Sequence, residues 1–375
     1  MMSVADKLQS QGPHKLLALD GGGIRGVITL AILGELQAQL QQALKRDDTF
    51  VLADYFDYIG GTSTGAIIAT CLSLGWRVER IRQFYESSGQ AMFDKASVLK
   101  RFKYKFEDEK LAALLQREIG SDVTLGDERL RTLLLLVMRN ATTDSPWPVS
   151  NNPHAKYNLT DRADCNLRLP LWQLVRASTA APTYFPPETI DVGAQRFVFV
   201  DGGVTMFNNP AFQLFLMATL PEYKLNWPRG ERSMLLVSIG TGAAANANAD
   251  LAPEQMNLLY NASSIPSALM AAASVQQDLL CRIFGRACCG SHLDNELGTL
   301  LWDGVAPTDG TRHFTYMRYN ADLSRKGLDA LGLTDIKPAD VQQMDSVDHI
   351  GELGRVGEAV ARRDVNIRHF SGFLG

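Results

Sequence analysis

The feature that most constrains this fold is a short apolar segment that runs into a glycine-rich turn and then into a helix, and it occurs twice. Residues 15–20 lead into the glycine loop 21–26, and residues 58–59 lead into the turn 60–64. A strand, a tight turn and a helix in succession form the repeating unit of α/β proteins, whose parallel strands are covered by helices on both faces. These two units therefore predict an α/β fold.

The same alternation continues well into the chain and then changes character. Apolar segments that predict strands lie at 132–138, 196–200 and 234–239, with helical patterns between them at 78–85, 109–119 and 210–220. The segment 243–250 is low in complexity and lacks apolar periodicity, and mainly helical patterns follow it. We therefore predict a three-layer α/β/α domain with a mostly parallel central sheet over 14–242, and a mainly helical extension over 243–375 that packs on it.

Composition and charge argue against several classes of protein. The chain of 375 residues has a net charge of -4, so no overall positive field attracts nucleic acid, and we predict no DNA or RNA partner. No apolar run is long enough to cross a bilayer, and residues 1–11 lack an apolar core followed by a cleavage site. We therefore predict a cytoplasmic protein that meets membranes only at their surface.

The cysteines predict neither disulfides nor a metal site. Five cysteines in a chain of this size are typical of reduced thiols. Cys281, Cys288, Cys289 and His292 lie close together in the sequence, but they lack the paired spacing of a zinc site. We accordingly predict no metal and no cofactor.

Residues 61–65 read Gly-Thr-Ser-Thr-Gly and match the G-x-S-x-G pattern where a strand meets a helix. A sharp turn there forces Ser63 into a strained backbone conformation, and the flanking glycines leave room for the strand and the helix. The helix beginning at Thr64 directs backbone N–H groups and its positive dipole end towards whatever Ser63 attacks. The pattern predicts a nucleophile at Ser63, and a glycine turn with a capping serine is the alternative interpretation.

The loop sequence DGGGIRG allows two interpretations. Gly21, Gly23 and Gly26 satisfy the G-x-G-x-x-G pattern of dinucleotide-binding loops, which also requires an acidic residue at the end of the second strand. Here the acidic residues 47 and 48 come before that strand. The other interpretation is an oxyanion hole, in which the N–H groups of Gly22 and Gly23 stabilise a developing negative charge. Only this second interpretation accounts for the serine turn.

Asp201 follows the strand segment 196–200 and precedes two glycines, which puts a carboxylate at the carboxyl edge of the sheet, where open α/β folds bind ligands. It can accept the Ser63 proton if it bonds the hydroxyl directly or if a dry site raises its pKa. An ordinary turn aspartate is the alternative. The later histidines lie in no recognisable motif, and we predict structural roles for them: His292, His313, His349 and His369.

Taken together, these motifs resemble the signatures of the patatin-like phospholipase family. The matching segments are DGGGIRG at 20–26, GTSTG at 61–65, the small-residue stretch ASTAAPTYFPP at 177–187 and DGG at 201–203. The resemblance covers roughly residues 14–242, and four ordered motifs are more specific than any one. It implies an α/β/α fold and a Ser–Asp dyad without histidine that hydrolyses acyl esters of phospholipids or related lipids through an acyl-enzyme.

The resemblance also implies a role for individual residues. Ser63 corresponds to the nucleophile and Asp201 to its base, while the oxyanion donors correspond to the glycine loop, that is Gly21, Gly22 and Gly23. Turn geometry adds the N–H of Thr64 as a further donor. Arg25 fits the basic position of the loop, where it either steadies the loop or meets a lipid phosphate. The implied partner is a membrane phospholipid or another acyl lipid at the inner membrane face.

The segment 314–320 and the helices after it are similar to bacterial members of the family that cyclic nucleotide second messengers activate in anti-phage defence. This likeness implies that Tyr316, Arg318 and Tyr319 stack on and pair with a cyclic di- or trinucleotide, whereas a packed aromatic strand is the alternative. It makes the extension 243–375 regulatory and leaves a homo-oligomer open.

Two other classes of function fit part of the pattern. A histidine-dependent α/β-hydrolase esterase would lose hydrolysis when one of the six histidines is replaced. A non-enzymatic dinucleotide-binding module would bind a dinucleotide tightly and would leave Ser63 unlabelled by a fluorophosphonate.

Overall fold

The computed structural model describes residues 3–93, 104–182, 184–243, 258–294, 296–301 and 312–375. The strands are β1 His14–Leu19, β2 Tyr58–Thr62, β3 Leu133–Asn140, β4 Ser145–Ser150, β5 Glu188–Val192, β6 Gln195–Asp201, β7 Met234–Ile239, β8 Arg286–Cys289 and β9 Thr315–Tyr319. The helices are α1 Val4–Gln9, α2 Gly26–Ala43, α3 Thr64–Ser73, α4 Val78–Phe93, α5 Tyr104–Ile119, α6 Leu171–Ser178, α7 Ala211–Thr219, α8 Leu258–Phe284, α9 Arg325–Ala330, α10 Pro338–Gln342 and α11 Ile350–Asp364.

The strands form one mixed sheet in the order β5-β6-β3-β2-β1-β7-β9-β8, with β4 also paired to β3. The pairs from β3 through β2, β1, β7 and β9 to β8 are all parallel. The strands β4, β5 and β6 pair antiparallel at the other side. The prediction of a mostly parallel sheet flanked by helices is confirmed.

Each face of the sheet supports its own apolar core because successive strand side chains point to opposite faces. In β1, Leu17 and Leu19 join the core formed with α2, α3, α4, α5, α6 and α11. Leu16 and Ala18 join the second core, which includes α7 and part of α8. Each leucine of β1 is fully buried, and burial of such a side chain contributes about 1.5–3 kcal/mol. The result is the three-layer α/β/α arrangement.

The C-terminal extension is largely helical, as predicted, but it also adds strands to the central sheet. β9 pairs with β7, and β8 pairs with β9, so the sheet continues without a break beyond residue 243. The helix α11 packs against α2, where Gly357 lies so close to Ala31 that an added Cβ would come within 2.7 Å of its Cβ. The division into domains at 243 stays a prediction, and residues 244–250 lie outside the described residues.

None of the helices in the described ranges is both long enough and apolar enough to cross a membrane.

Candidate active site

Ser63 lies at the tight turn between β2 and α3. Its backbone has φ 55° and ψ -123°, a conformation that costs a non-glycine residue energy and persists only where the surroundings enforce it. The flanking glycines are required by close packing: a Cβ at Gly61 would come within 2.1 Å of the Gly65 carbonyl oxygen, and a Cβ at Gly65 within 2.3 Å of the Leu19 carbonyl oxygen. The strained turn predicted from the sequence is therefore present.

Hydroxyl groups of neighbouring side chains hold this turn. The Ser63 N–H donates to Ser178 Oγ at 3.0 Å, and Ser178 Oγ in turn donates to the Val137 carbonyl oxygen. On the other side, the hydroxyls of Thr64 and Tyr85 bond each other, and Tyr85 also donates to the Thr64 carbonyl oxygen. Tyr85 carries no signal in the sequence that marks it as part of this site, and Ser178 is marked only as a member of the small-residue stretch 177–187.

Asp201 reaches Ser63 from a strand that runs against the others. β6 is antiparallel to β3 and overlaps it by only three residues, so that Asp201 pairs with Met138 near the carboxyl end of β3. The carboxylate therefore lies at the predicted edge of the sheet, although β6 is antiparallel to both of its neighbours. Ser63 Oγ donates to Asp201 Oδ2 at 2.6 Å.

Ser63 and Asp201 are both buried, and burial changes the acidity of the Asp201 carboxyl group. Ser63 is 7% exposed and Asp201 is 3% exposed. Asp201 Oδ1 accepts the Gly203 N–H at 2.6 Å, so both carboxylate oxygens have a donor. Burial raises the pKa of Asp201 to about 6, although its hydrogen bonds to Ser63 and Gly203 act in the opposite direction. Such a carboxylate is a stronger base than an exposed aspartate and is still largely ionised at neutral pH.

The glycine loop lies beside Ser63 and is fixed from several sides. The Gly21 N–H donates to the Asn208 carbonyl oxygen, and Thr241 Oγ1 donates to the Gly21 carbonyl oxygen. Gly23 has φ 61°, and a Cβ there would come within 2.2 Å of the Met344 carbonyl oxygen. Neither Asn208 nor Thr241 carries a signal in the sequence that marks it as part of this site.

Three backbone N–H groups around Ser63 remain available. Within the described part of the chain, the N–H groups of Gly22, Gly23 and Thr64 have no hydrogen-bond acceptor. The Ser63 side chain does not cap α3, because its hydroxyl bonds Asp201 instead. Free N–H groups next to a buried serine can donate to an anionic oxygen bound there.

Arg25 bonds backbone carbonyl oxygens of its own loop and of α10. Its guanidinium donates to the carbonyl oxygens of Gly22 and Gln342, at 3.5 and 3.1 Å. Burial lowers the pKa of Arg25 to about 10, which leaves the group charged at neutral pH. Of the two roles considered for Arg25, these contacts favour steadying of the loop.

The residue before the loop, Asp20, forms a buried ion pair with Arg318 of β9. Arg318 Nη1 and Nη2 donate to the two Asp20 oxygens at 2.9 and 2.6 Å, and Nη1 also donates to Ser238 Oγ. Burial opposes the charge on the guanidinium, but the adjacent Asp20 carboxylate more than offsets this and raises the pKa of Arg318. The two charges satisfy each other beside the active site.

These contacts correct the predicted nucleotide-binding surface. Tyr316, Arg318 and Tyr319 are all buried in β9, which lies between β7 and β8. Tyr316 donates its hydroxyl hydrogen to Asp278 Oδ1 at 3.0 Å, and the Tyr319 hydroxyl bonds His369 Nδ1 at 3.0 Å. Since an interior strand exposes neither ring faces nor a free guanidinium, the alternative of a packed aromatic strand describes this segment.

All six histidines lie in the described ranges, and none of them bonds Ser63 or Asp201. His14 stacks on Trp227 at a ring-centroid distance of 3.9 Å, and His313 stacks on Phe215. His369 bonds Tyr319, as described above. The dyad thus lacks the imidazole of a Ser-His-Asp triad.

Comparison with known proteins places these features in a family. A family model described as patatin-like phospholipase matches residues 17–215, which include the glycine loop and both members of the dyad. Patatin-T5 of Solanum tuberosum is 30% identical over 250 residues, and Patatin-17 of Solanum cardiophyllum is 31% identical over 248 residues. In both cases the alignment covers 61% of this chain and 61% of the relative.

Among solved structures, VipD from Legionella pneumophila matches with 15% identity and a TM-score of 0.38. The alignment covers 91% of this chain and 67% of the VipD chain.

Proposed function

Because this chain belongs to the patatin-like phospholipase family, we propose that it is a serine acyl hydrolase that cleaves ester bonds of phospholipids or related acyl lipids. The observation that carries the proposal is the hydrogen bond of 2.6 Å between Ser63 Oγ and Asp201 Oδ2 in a buried site. A strained serine at a strand-to-helix turn, bonded directly to a carboxylate of raised pKa, has the parts needed for nucleophilic catalysis.

In the first step, Asp201 accepts the proton of Ser63 while the serine oxygen attacks the ester carbonyl. The proton has a direct route, because the hydroxyl already donates to Asp201 Oδ2. The second carboxylate oxygen is held by the Gly203 N–H, so the carboxylate keeps its orientation as it gains the proton. A pKa of about 6 matches this base to neutral pH better than an ordinary aspartate would.

The N–H groups of Gly22, Gly23 and Thr64 stabilise the oxygen that becomes negative as the tetrahedral intermediate forms. Removal of a single donor of this kind costs an enzyme about 3 kcal/mol of transition-state stabilisation. The protonated Asp201 then donates its proton to the leaving alcohol or lysolipid, and the acyl group remains on Ser63. Water, activated by the same carboxylate, releases the fatty acid.

The substrate and its location are further parts of the proposal. The chain spans about 61% of the length of the curated patatins it matches, and we take over from the family only the chemistry of acyl ester hydrolysis. We propose that the enzyme acts on membrane lipid from the inner membrane face. A homo-oligomer stays a prediction.

Activation by a cyclic oligonucleotide also stays a prediction, now without the contacts first assigned to it. The side chains of Tyr316, Arg318 and Tyr319 are buried, so an activator would bind elsewhere on the extension. Fatty-acid release should be measured with and without a panel of cyclic di- and trinucleotides. Equal rates throughout the panel would contradict activation.

The proposed hydrolysis is tested by mass spectrometry of the products formed from a bacterial lipid extract. We expect free fatty acid and lysolipid with the wild-type chain and none with Ser63→Ala. A fluorophosphonate probe should label the wild-type chain at Ser63. Dinucleotide binding without labelling or lipid products would favour the binding-module alternative.

A further inference from the structure

The helix α8 exposes to solvent a stripe of apolar residues that an ordinary surface helix would bury. Spacings of three and four residues place a stripe of apolar side chains along one face, namely Ala268, Ala272, Val275, Leu279 and Ile283. All are exposed or half-buried, and the adjacent Leu269 is 64% exposed. Surface helices normally turn such a stripe towards the core. We call these six residues the outer face of α8.

The opposite face of α8 is buried and contains the charged groups of the helix. Asp278 and Arg282 are the charged residues of the helix sequence, and they pair with each other at 2.7 Å inside the protein. Asp278 also accepts the Tyr316 hydroxyl, while Arg282 donates to the carbonyl oxygens of Ser291 and Thr299. The outer face therefore carries no charge.

Exposed apolar surface is concentrated in this part of the molecule. More than half of the large apolar side chains exposed in the described ranges lie between 269 and 301. Beyond Leu269, Val275 and Ile283 of the outer face, they include Phe284 at the end of the helix and three leucines of the loop that bonds Arg282, namely Leu297, Leu300 and Leu301. A grouped apolar patch of this kind marks an interaction surface, whereas single exposed residues do not.

The inner side of α8 adjoins the active site, so the helix that carries the apolar outer face also contacts the loops around Ser63. The Met270 methyl group lies against Gly203, where an added Cβ would come within 2.7 Å of it. Ser274 Oγ accepts the side-chain N–H of Asn208, the residue whose carbonyl oxygen binds Gly21. Met206, in the loop that follows Asp201, is 54% exposed and adds to the apolar surface.

We propose that the outer face of α8 is a docking surface for lipid, through which the enzyme sits on a membrane with Ser63 close to the acyl esters. This inference rests on the proposed function, since the occupant is chosen by its continuity with a site for lipid esters. The outer face is uncharged and apolar, which suits insertion among acyl chains. The net charge of -4 offers no general attraction to anionic head groups, so apolar contact is the interaction that we expect to bind the membrane.

The test separates docking from hydrolysis by measuring binding to vesicles that cannot be cleaved. The probe is a vesicle of ether-linked phosphatidylcholine, and binding is measured by co-sedimentation of the full chain. The test variant is Leu269→Glu with Val275→Glu, which puts charges on two exposed positions without touching the buried face. The matched control is Leu159→Glu, because Leu159 is 45% exposed in a loop between β4 and α6.

We expect the wild-type chain and the Leu159→Glu control to bind these vesicles, at low and at high salt alike. The double variant should bind at least about tenfold more weakly and lose a similar factor in hydrolysis of ester-linked vesicles, since each new charge must enter the apolar layer. It should keep its turnover of a water-soluble short-chain ester and its melting temperature.

Equal vesicle binding by the double variant and the wild type would overturn the inference, as would binding that needs anionic lipid and disappears in high salt. A chain that dimerises in light scattering through Leu269 and Val275, and does not bind vesicles, would assign the face to a second copy instead. Failure of the proposed function has a different signature, namely vesicle binding without release of fatty acid from any ester.

Discussion

Arg318 and Asp20, which lie 298 residues apart in the sequence, form a two-pronged ion pair directly before the glycine loop. Both side chains are buried. Asp20 is the residue that precedes Gly21, whereas Arg318 belongs to β9, outside the region 17–215 that the family model matches. The C-terminal extension thus supplies a contact that holds the loop next to Ser63.

Replacement of Arg318 by lysine should slow catalysis more than it weakens binding. Lysine retains the charge but cannot bond both Asp20 oxygens in a fork, so the loop loses its fixed position. We expect kcat for a soluble ester to fall by roughly tenfold while KM stays nearly unchanged. Steady-state kinetics check this, with Arg325→Lys as control because Arg325 donates to carbonyl oxygens of the 333–336 turn. A wild-type kcat in Arg318→Lys would contradict a positioning role.

A second pair of variants separates this positioning role from simple stability. Arg318→Met leaves a buried carboxylate without its partner and should lower the free energy of unfolding by about 3–5 kcal/mol. The double variant Asp20→Asn with Arg318→Met should recover most of that loss in denaturant unfolding. Its kcat should nevertheless stay low, and full recovery of kcat in the double variant would show that the pair matters for stability alone.

Ser63→Ala and Asp201→Asn should each abolish ester hydrolysis while the protein stays folded. The two side chains act as one unit, and removal of either member of such a unit costs at least about a thousandfold in kcat. Turnover of a p-nitrophenyl ester is the activity measurement, and thermal melting is the control for folding. Retained turnover in either variant refutes the dyad. Loss of hydrolysis after replacement of a single histidine would point to the triad alternative.

The pH dependence of hydrolysis should report the ionisation of Asp201. The base works only in its ionised form, and burial raises its pKa to about 6. We therefore expect kcat/KM to rise with pH through about 6 and to level off above it. An activity profile on a soluble ester checks this. A profile that is already flat at pH 5 would show that the pKa of the Asp201 carboxyl group is not raised in the free enzyme.

Because the pKa of Asp201 is raised, the ionised Asp201 carboxylate lowers the free energy of unfolding at neutral pH. A carboxyl whose pKa is about 6 when folded and near 3.8 when unfolded binds its proton more tightly in the folded state. Its ionisation therefore removes stability as the pH rises between these two values, by about 3 kcal/mol in full. Asp201→Asn should be more stable than the wild type at pH 7, and the difference should shrink towards pH 4. Denaturant unfolding at both pH values measures it, and a less stable variant at pH 7 would contradict this account.

Ser178→Ala should weaken the turn without touching the reacting atoms. It leaves the buried N–H of Ser63 without an acceptor, which costs about 1–3 kcal/mol. We expect a lower melting temperature together with a reduced kcat, as Ser63 loses part of its alignment. The control is Thr219→Ala, because that hydroxyl bonds only the Phe215 carbonyl oxygen of its own helix. An unchanged melting temperature in Ser178→Ala would exclude this role.

The elements next to glycine turns could be predicted because local chemistry determines them. The predicted strand at 234–239 coincides with β7, and the strand at 15–20 is displaced from β1 by one residue. Ser63 and its turn followed from residues 61–65 alone. In these cases the apolar run, the glycines and the start of the next helix are neighbours in the sequence.

The features that escaped prediction depend on distant partners. β4 contains two prolines and β8 has only four residues, so neither carries a clear strand pattern. Tyr316, Arg318 and Tyr319 resembled a ligand surface because nothing in their own segment reveals that β7 and β8 cover both edges of β9. The partner of Arg318 lies in the first loop of the chain, and only the folded sheet brings the two together.

The late position of Arg318 has a consequence for the order in which this site is completed during synthesis. A chain still on the ribosome has made Ser63 and Asp201 before it has made β9, and until then Asp20 lacks its two-pronged bond to Arg318. The loop beside Ser63 therefore gains this contact only after β9 has been made, so its bonded form depends on a strand that lies far from it in the sequence.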